Sequence, residues 1–295
     1  MEDRSLGSKV TEKLIKDRPI LPRTREEYRK HLESKGENDF VIPPLFVGVI
    51  KVERYQDIPV YRWNDNGLVG QKIILYLHGG GYLYNPLRSQ FDSLHEISKR
   101  TDSMVVMPIY RKIPKYTFRD SYPVLLSLYA SLKMNYPKSP IVLMGDSAGG
   151  GLALGLAQVI AGQGRIGPDK IVLLSPWLDV KTDNPLIEQY QPLDPLLEAW
   201  KLQVAGEMWA GGLEQMTNPM VSPIYGNMSG LGRITIFVGT REIFYPDVMQ
   251  LHERLLAEGI DHDLIVGEGQ NHVYPLYPIK EGREARNRIV EIINK

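Results

Sequence analysis

One stretch, "PIVLMGDSAGGGLALGLA", constrains this chain more than any other. Ile141 to Met144 read as a buried strand of four apolar residues, and Gly151 to Ile160, with alanines and leucines at helical spacing, read as a helix. Little more than Gly145-Asp146-Ser147-Ala148-Gly149 lies between them. A turn from strand to helix this sharp crowds its neighbours, so glycine is required on both sides of its centre. Its physical effect is to lift one hydroxyl, that of Ser147, clear of the sheet. A G-x-S-x-G pentapeptide alone often marks nothing more than a glycine-rich βα turn; strand, turn and helix in this order make it a candidate nucleophile elbow.

The rest of the chain supplies the sheet that such an elbow needs. "SMVVMPIY", "IVLMG", "KIVLLSP", "RITIFVG" and "DHDLIVGEG" read as strands, and "DSYPVLLSLYASLKM", "GLALGLAQVIA", "DVMQLHERLLAEG" and "GREARNRIVEIIN" as helices between and after them. Strands spaced by helices of this length signal βαβ units and a mostly parallel sheet. "VIKVERYQDIPVYRW" alternates instead, which predicts an antiparallel pair at the sheet edge. Two regions stand outside this pattern. Residues 1 to about 45 are polar, with "TEKLIKD" and "TREEYRKHLES" as short amphipathic helices ended by "VIPP". Between Trp177 and Gly232 the alternation breaks in favour of prolines and aromatics. Residues 1–295 therefore read as one α/β domain, with cap contributions from about 1–45 and about 180–225.

Composition narrows the partners. The 35 basic and 35 acidic side chains cancel, so no global field points to nucleic acid or to an anionic membrane. No apolar run approaches bilayer length, and the charged N-terminus lacks a signal-peptide core, which predicts no stable membrane insertion and a cytoplasmic location. Cysteine is absent, excluding thiol catalysis and thiolate metal sites. The expected partner is a small neutral molecule; a homo-oligomer is allowed.

"LYLHGGGYLYN" is the second motif. One glycine suffices for a turn, whereas three in a row, Gly79, Gly80 and Gly81, let backbone N–H groups approach a ligand and form an oxyanion hole. The loop lacks the lysine of a P-loop and the spacing of a dinucleotide fingerprint. His78 precedes the serine in the chain, so it is expected to brace the loop rather than act as base.

A serine hydroxyl needs a base, and the base needs a group to orient it. His252 falls inside a predicted helix and His262 at the wrong end of a strand, which leaves His272 in "GEGQNHVYP". Three carboxylates compete for the third role: Asp179 at the end of "LLSPWLD", and Glu242 and Asp247 in "GTREIFYPD". Glu242 is nearer its strand end, and Asp247 is placed to cap the following helix.

Taken together, "HGGGY", "YRKIPKYTF", "GDSAGG", "SPWLD", "DPLL", "VSPIYG" and "NHVYP" resemble the hormone-sensitive-lipase-like branch of the α/β-hydrolases from about residue 45 onward. The resemblance implies an α/β-hydrolase fold with a helical cap and a carboxylic ester hydrolase. It implies Ser147 as nucleophile, His272 as base, and the N–H groups of Gly80, Gly81 and Ala148 as oxyanion donors, with no metal or cofactor. The family's acid position falls on Glu242, where aspartate is usual, so Asp247 and Asp179 stay open. Lys115 also departs, standing where an acidic residue is usual. Tyr82, Tyr84, Trp177, Trp209 and Tyr274 are candidate walls of an acyl pocket, although aromatics near strand ends also pack as plain core. The expected substrates are short-acyl esters, with amide hydrolysis or ligand binding without catalysis as rivals, and activity falling below roughly pH 6–7 as an imidazole of pKa about 6.5 protonates.

Overall fold

The computed structural model describes residues 4–16, 22–35 and 42–295. Its described strands are β1 (Lys51–Tyr55), β2 (Ile58–Trp63), β3 (Ile73–Leu77), β4 (Met104–Pro108), β5 (Ile141–Asp146), β6 (Lys170–Leu174), β7 (Arg233–Gly239) and β8 (His262–Gly267). They form an eight-stranded sheet in the order β1-β2-β4-β3-β5-β6-β7-β8. β1 and β2 pair antiparallel at the edge, as the alternation predicts, β2 meets β4 antiparallel, and every later pairing is parallel. The carboxyl ends of β3, β5, β6, β7 and β8 therefore open on one edge of the sheet, where open α/β sheets bind their ligands. This is the α/β-hydrolase fold, with its mostly parallel sheet flanked by helices.

The central strands read as unbroken apolar runs because both their faces are covered. In β3, Ile73, Leu75 and Leu77 point into one core and Ile74 and Tyr76 into the other. The first core packs under α4 (Phe118–Asn135), α5 (Ala148–Gly162) and α8 (Tyr245–Ala257), and the second under α3 (Arg88–Thr101) and α9 (Lys280–Asn294). Helix α3 was not legible in the alternation of strands and helices. Its buried Phe91, Leu94 and Ile97 are set among polar and charged side chains, which thins the apolar signal.

The remaining helices lie in the two regions outside the pattern: α1 (Leu6–Lys16), α2 (Arg25–Glu33), α6 (Ile187–Tyr190) and α7 (Ala199–Ala210). Thr24 caps α2 in a reciprocal capping box with Glu27. Tyr28 of α2 meets Trp200 of α7 edge-on, 5.7 Å between ring centroids, and Arg29 pairs with Glu207 at 2.6 Å. The N-terminal region thus packs on the inserted one. Helix α1 is tied elsewhere: Ser8 Oγ donates to Gln270 Oε1 at 3.0 Å, and Glu12 pairs with Arg241 at 3.0 Å. Parts of the 1–45 region, including Asp17 and Val41 at the ends of two predicted segments, lie outside the described residues. Among the described residues no helix is long and apolar enough to cross a membrane.

Candidate active site

Ser147 stands between β5 and α5 with φ +53° and ψ −124°, a conformation sparsely populated by non-glycine residues. Such strain costs on the order of 1–3 kcal/mol and persists only where the surroundings over-determine it. Here the Ser147 amide donates to Leu174 O at 2.8 Å, and Ser147 O accepts from Trp177 N at 2.9 Å and Gly151 N at 3.1 Å. The flanking glycines are required by contact. A Cβ on Gly149 would lie 2.0 Å from Leu77 O, and one on Gly145 2.3 Å from Gly149 O. The result is a half-buried hydroxyl at the open edge of the sheet.

His272 follows β8 and reaches that hydroxyl: its Nε2 lies 2.9 Å from Ser147 Oγ, and its Nδ1 lies 2.6 Å from Glu242 Oε2. Glu242 follows β7, is fully buried, and accepts two further bonds on Oε1, from Gly239 N and from Ser175 Oγ, both at 2.7 Å. Ser175 in turn accepts from Val273 N at 3.0 Å, so one hydroxyl links Glu242 to the residue after His272. Burial alone would pull the His272 pKa down. The Glu242 carboxylate, by charge and by its hydrogen bond, outweighs that effect with help from Asp194 and Asp146, and the ring ends above its ordinary value. The ring of Phe244 abuts the imidazole edge-on at 5.1 Å.

The glycine loop after β3 is fixed from below by Asp146. This buried carboxylate accepts from Gly79 N at 2.7 Å, from Tyr76 Oη at 2.5 Å and from Gln90 Nε2 at 2.9 Å. Gly80 and Gly81 adopt φ +121° and +62°, open to glycine and costly to most other residues. Neither amide meets an acceptor among the described residues, and Ala148, as the first residue of α5, carries one of the helix's orphan N–H groups. His78 is fully buried. Its Nδ1 lies 2.7 Å from Gly79 O, its ring stacks on Tyr110 at 4.5 Å, and burial drops its pKa to about 3, which keeps the ring neutral.

The other two candidate carboxylates bond elsewhere. Asp179 accepts from Ser222 Oγ, from the Lys181 amide and from Tyr225 Oη. Asp247 is the third residue of α8 rather than its cap, and accepts from Asn184 Nδ2 at 2.8 Å. His252 and His262 contact one another at 2.8 Å, with His262 at the first residue of β8, the opposite strand end from His272. Among the described residues no three His, Cys, Asp or Glu side chains come together as metal ligands.

The aromatic candidates divide. Tyr82 stacks between Trp209, at 4.2 Å and 4°, and Trp177, at 5.5 Å, and all three are buried. This closed column lies in the first core. Tyr274 does not join it: it packs in the second core with Tyr76, Phe237 and Ile289, because a short 3-10 turn (Tyr274–Leu276) carries it back under β8. Tyr84 is partly exposed, with Lys35 Nζ 5.2 Å from its ring centroid, and Lys115 Nζ lies 5.0 Å from the ring centroid of Tyr116. Ser175 and Asp146 were visible in "SPWLD" and "GDSAGG" but carried no assignment, since nothing in a sequence shows which amides a side chain will meet.

Residues 74–276 match the family model described as alpha/beta hydrolase fold. The chain belongs to that alpha/beta hydrolase family. It is 32% identical over 219 residues to the esterase LipU of Mycobacterium tuberculosis, covering 68% of this chain and 70% of that protein. It is 28% identical over 235 residues to a triacylglycerol lipase of the same organism, covering 78% of this chain and 49% of the lipase, so the match spans about half of that relative's length. Among solved structures, an esterase of the bacterial hormone-sensitive lipase family superimposes with a TM-score of 0.81 at 28% identity, covering 99% of each chain. The hydrolase sheet, the glycine loop and the serine elbow accordingly place the chain with hormone-sensitive-lipase-like esterases.

Proposed function

We propose that this carboxylic ester hydrolase works through an acyl-enzyme on Ser147, with His272 as general base, Glu242 as the acid that orients it, and short-acyl esters as substrates. The observation that carries this reading is the unbroken relay from Ser147 Oγ through the imidazole to Glu242, at 2.9 Å and 2.6 Å, on the open edge of the sheet. Both spacings lie within the reach a nucleophile and its base require.

Ser147 Oγ attacks the ester carbonyl carbon while His272 Nε2 takes its proton. The imidazolium is stabilised by Glu242 through Nδ1–H. The carbonyl electron pair moves to oxygen, which the N–H groups of Gly80, Gly81 and Ala148 stabilise; one such donor contributes roughly 3–4 kcal/mol in a comparable site. Collapse of the tetrahedral species breaks the bond to the alcohol oxygen, and His272 returns the proton to it. Water, deprotonated by His272, repeats the sequence on the acyl-enzyme and releases the acid. The raised pKa of His272 makes it a stronger base and moves the loss of activity to higher pH than a free imidazole would give.

The short-acyl preference is supported by the aromatic column: Tyr82, Trp177 and Trp209 stack on one another instead of lining an open apolar wall. Helices α2 and α7, packed together beside that column, are proposed as the cap. Hydrolysis of p-nitrophenyl esters from acetyl to palmitoyl tests both claims. The reading expects turnover that peaks at short chains and is lost in Ser147→Ala. Equal rates in wild type and variant would favour a ligand-binding protein, and a maximum at palmitoyl would remove the short-acyl assignment.

A further inference from the structure

The loop that carries Glu242 is held by a side chain from the inserted region. Asp194 follows α6, in the "DPLL" run, and is 9% exposed. Its Oδ1 accepts from Leu196 N and Leu197 N, each at 2.9 Å, and its Oδ2 accepts from Ile243 N, also at 2.9 Å. Its own amide donates to Tyr190 O at 3.0 Å. One carboxylate therefore binds the backbone of the insertion on one oxygen and the residue next to Glu242 on the other. Ile243 is fully buried, so no water can replace the acceptor its amide would lose.

A neutral acceptor could serve an amide; a carboxylate adds charge, and the charge has a direction. The His272 ring bonds Glu242 from the loop after β7 and also feels the charge of Asp194 from the insertion and of Asp146 from the end of β5. Asp146 is spent on Tyr76, Gly79 and Gln90. Asp194 bonds only backbone amides among the contacts above, and the ionisable group whose charge acts on it is His272.

Resting on the serine mechanism above, we infer that Asp194 is a positioning residue of this triad: it sets Glu242 through the Ile243 amide and adds a negative charge beside His272. The inserted region is thereby coupled to the base. Burial pushes Asp194 up to about 6, against the opposing pull of His272 and the three amides.

The test is kcat and kcat/KM for p-nitrophenyl acetate against pH in wild type, Asp194→Asn and Asp194→Ser, with Ser147→Ala as the blank and thermal unfolding run on each. Loss of the charge is expected to lower kcat about tenfold or more and to move the acid limb of kcat/KM down by about half a pH unit. A purely structural role would change the amplitude and leave the limb in place. Asp194→Ser keeps a small acceptor and supplies the limb if Asp194→Asn does not fold. A folded variant whose limb coincides with that of wild type overturns the inference. If Ser147→Ala is inactive while that limb is unmoved, only this inference fails; if Ser147→Ala retains full activity, the serine mechanism fails with it.

Discussion

Replacing Ser175 with alanine removes one oxygen and two hydrogen bonds. The bond donated to Glu242 Oε1 at 2.7 Å is buried and ends on a carboxylate, a class worth about 1.5–3 kcal/mol. The bond accepted from Val273 N at 3.0 Å leaves an amide without its acceptor, at about 1–3 kcal/mol, toward the low end because Val273 is only half-buried and water can reach it. Ser175 has φ +45°, and alanine suffers the same strain there, so the backbone term cancels. The two bonds share one hydroxyl and do not add fully, which gives a stability loss of about 2–4 kcal/mol. Glu242 keeps its bond from Gly239 N, so its carboxylate stays in place while the loop carrying His272 loosens. The expected loss of kcat is about 10- to 100-fold, equivalent to roughly 1.4–2.7 kcal/mol. KM should hold within about threefold, since a group buried beneath the triad contributes to the transition state and not to ground-state binding. Urea unfolding with steady-state kinetics on p-nitrophenyl butyrate measures both quantities. A variant with kcat within about twofold of wild type and unchanged stability would refute the role given to this hydroxyl.

Asp247→Asn separates the two neighbouring carboxylates. Burial pushes Asp247 up to about 7, so the folded state binds a proton there that the unfolded state has released, and stability falls as pH rises from about 4 through 7. The asparagine variant should gain on the order of 2–4 kcal/mol relative to wild type at pH 8, lose that gain near pH 4, and keep kcat; a collapse of kcat would make Asp247 the acid. Gly149→Ala should cost about 3 kcal/mol or prevent folding, because its Cβ would fall 2.0 Å from Leu77 O, and a thermal scan showing wild-type stability would contradict the close approach. Tyr82→Ala should cost about 3–5 kcal/mol in chemical denaturation by emptying the stack between Trp177 and Trp209, whereas a small loss with altered acyl preference would place Tyr82 in an open pocket.

The parts of this molecule legible in its sequence are those whose physics is local. β4, β5, β6 and β7 announce themselves because a strand buried on both faces is a short apolar run, and the elbow because a tight turn admits glycine alone on each side. Helix α5 begins at Ala148, ahead of the residue from which its apolar spacing is readable, since small residues in the first turn carry no periodic signal. The choice between Glu242 and Asp247 is open in the sequence because the two are only five residues apart, and the start of α8 at Tyr245 leaves Glu242 on the loop that meets the imidazole and carries Asp247 into the helix. Ser175, Asp146 and Asp194 act through amides far away in the chain or across a turn, and no spacing rule identifies such partners. Tyr274 illustrates the converse: it lies two residues after His272 in sequence but belongs to the other face of the sheet, because the chain turns back immediately after His272.

Covalent labelling tests the central claim most directly. Wild type, Ser147→Ala and His272→Ala would be treated with a p-nitrophenyl alkylphosphonate, whose phosphorus is attacked by an activated serine, and the adduct located by peptide mass spectrometry. The account predicts stoichiometric p-nitrophenol release with the adduct on the peptide containing Ser147, none in Ser147→Ala, and labelling slowed by orders of magnitude in His272→Ala. An adduct on a different residue, or labelling of Ser147 that is indifferent to His272, would contradict it.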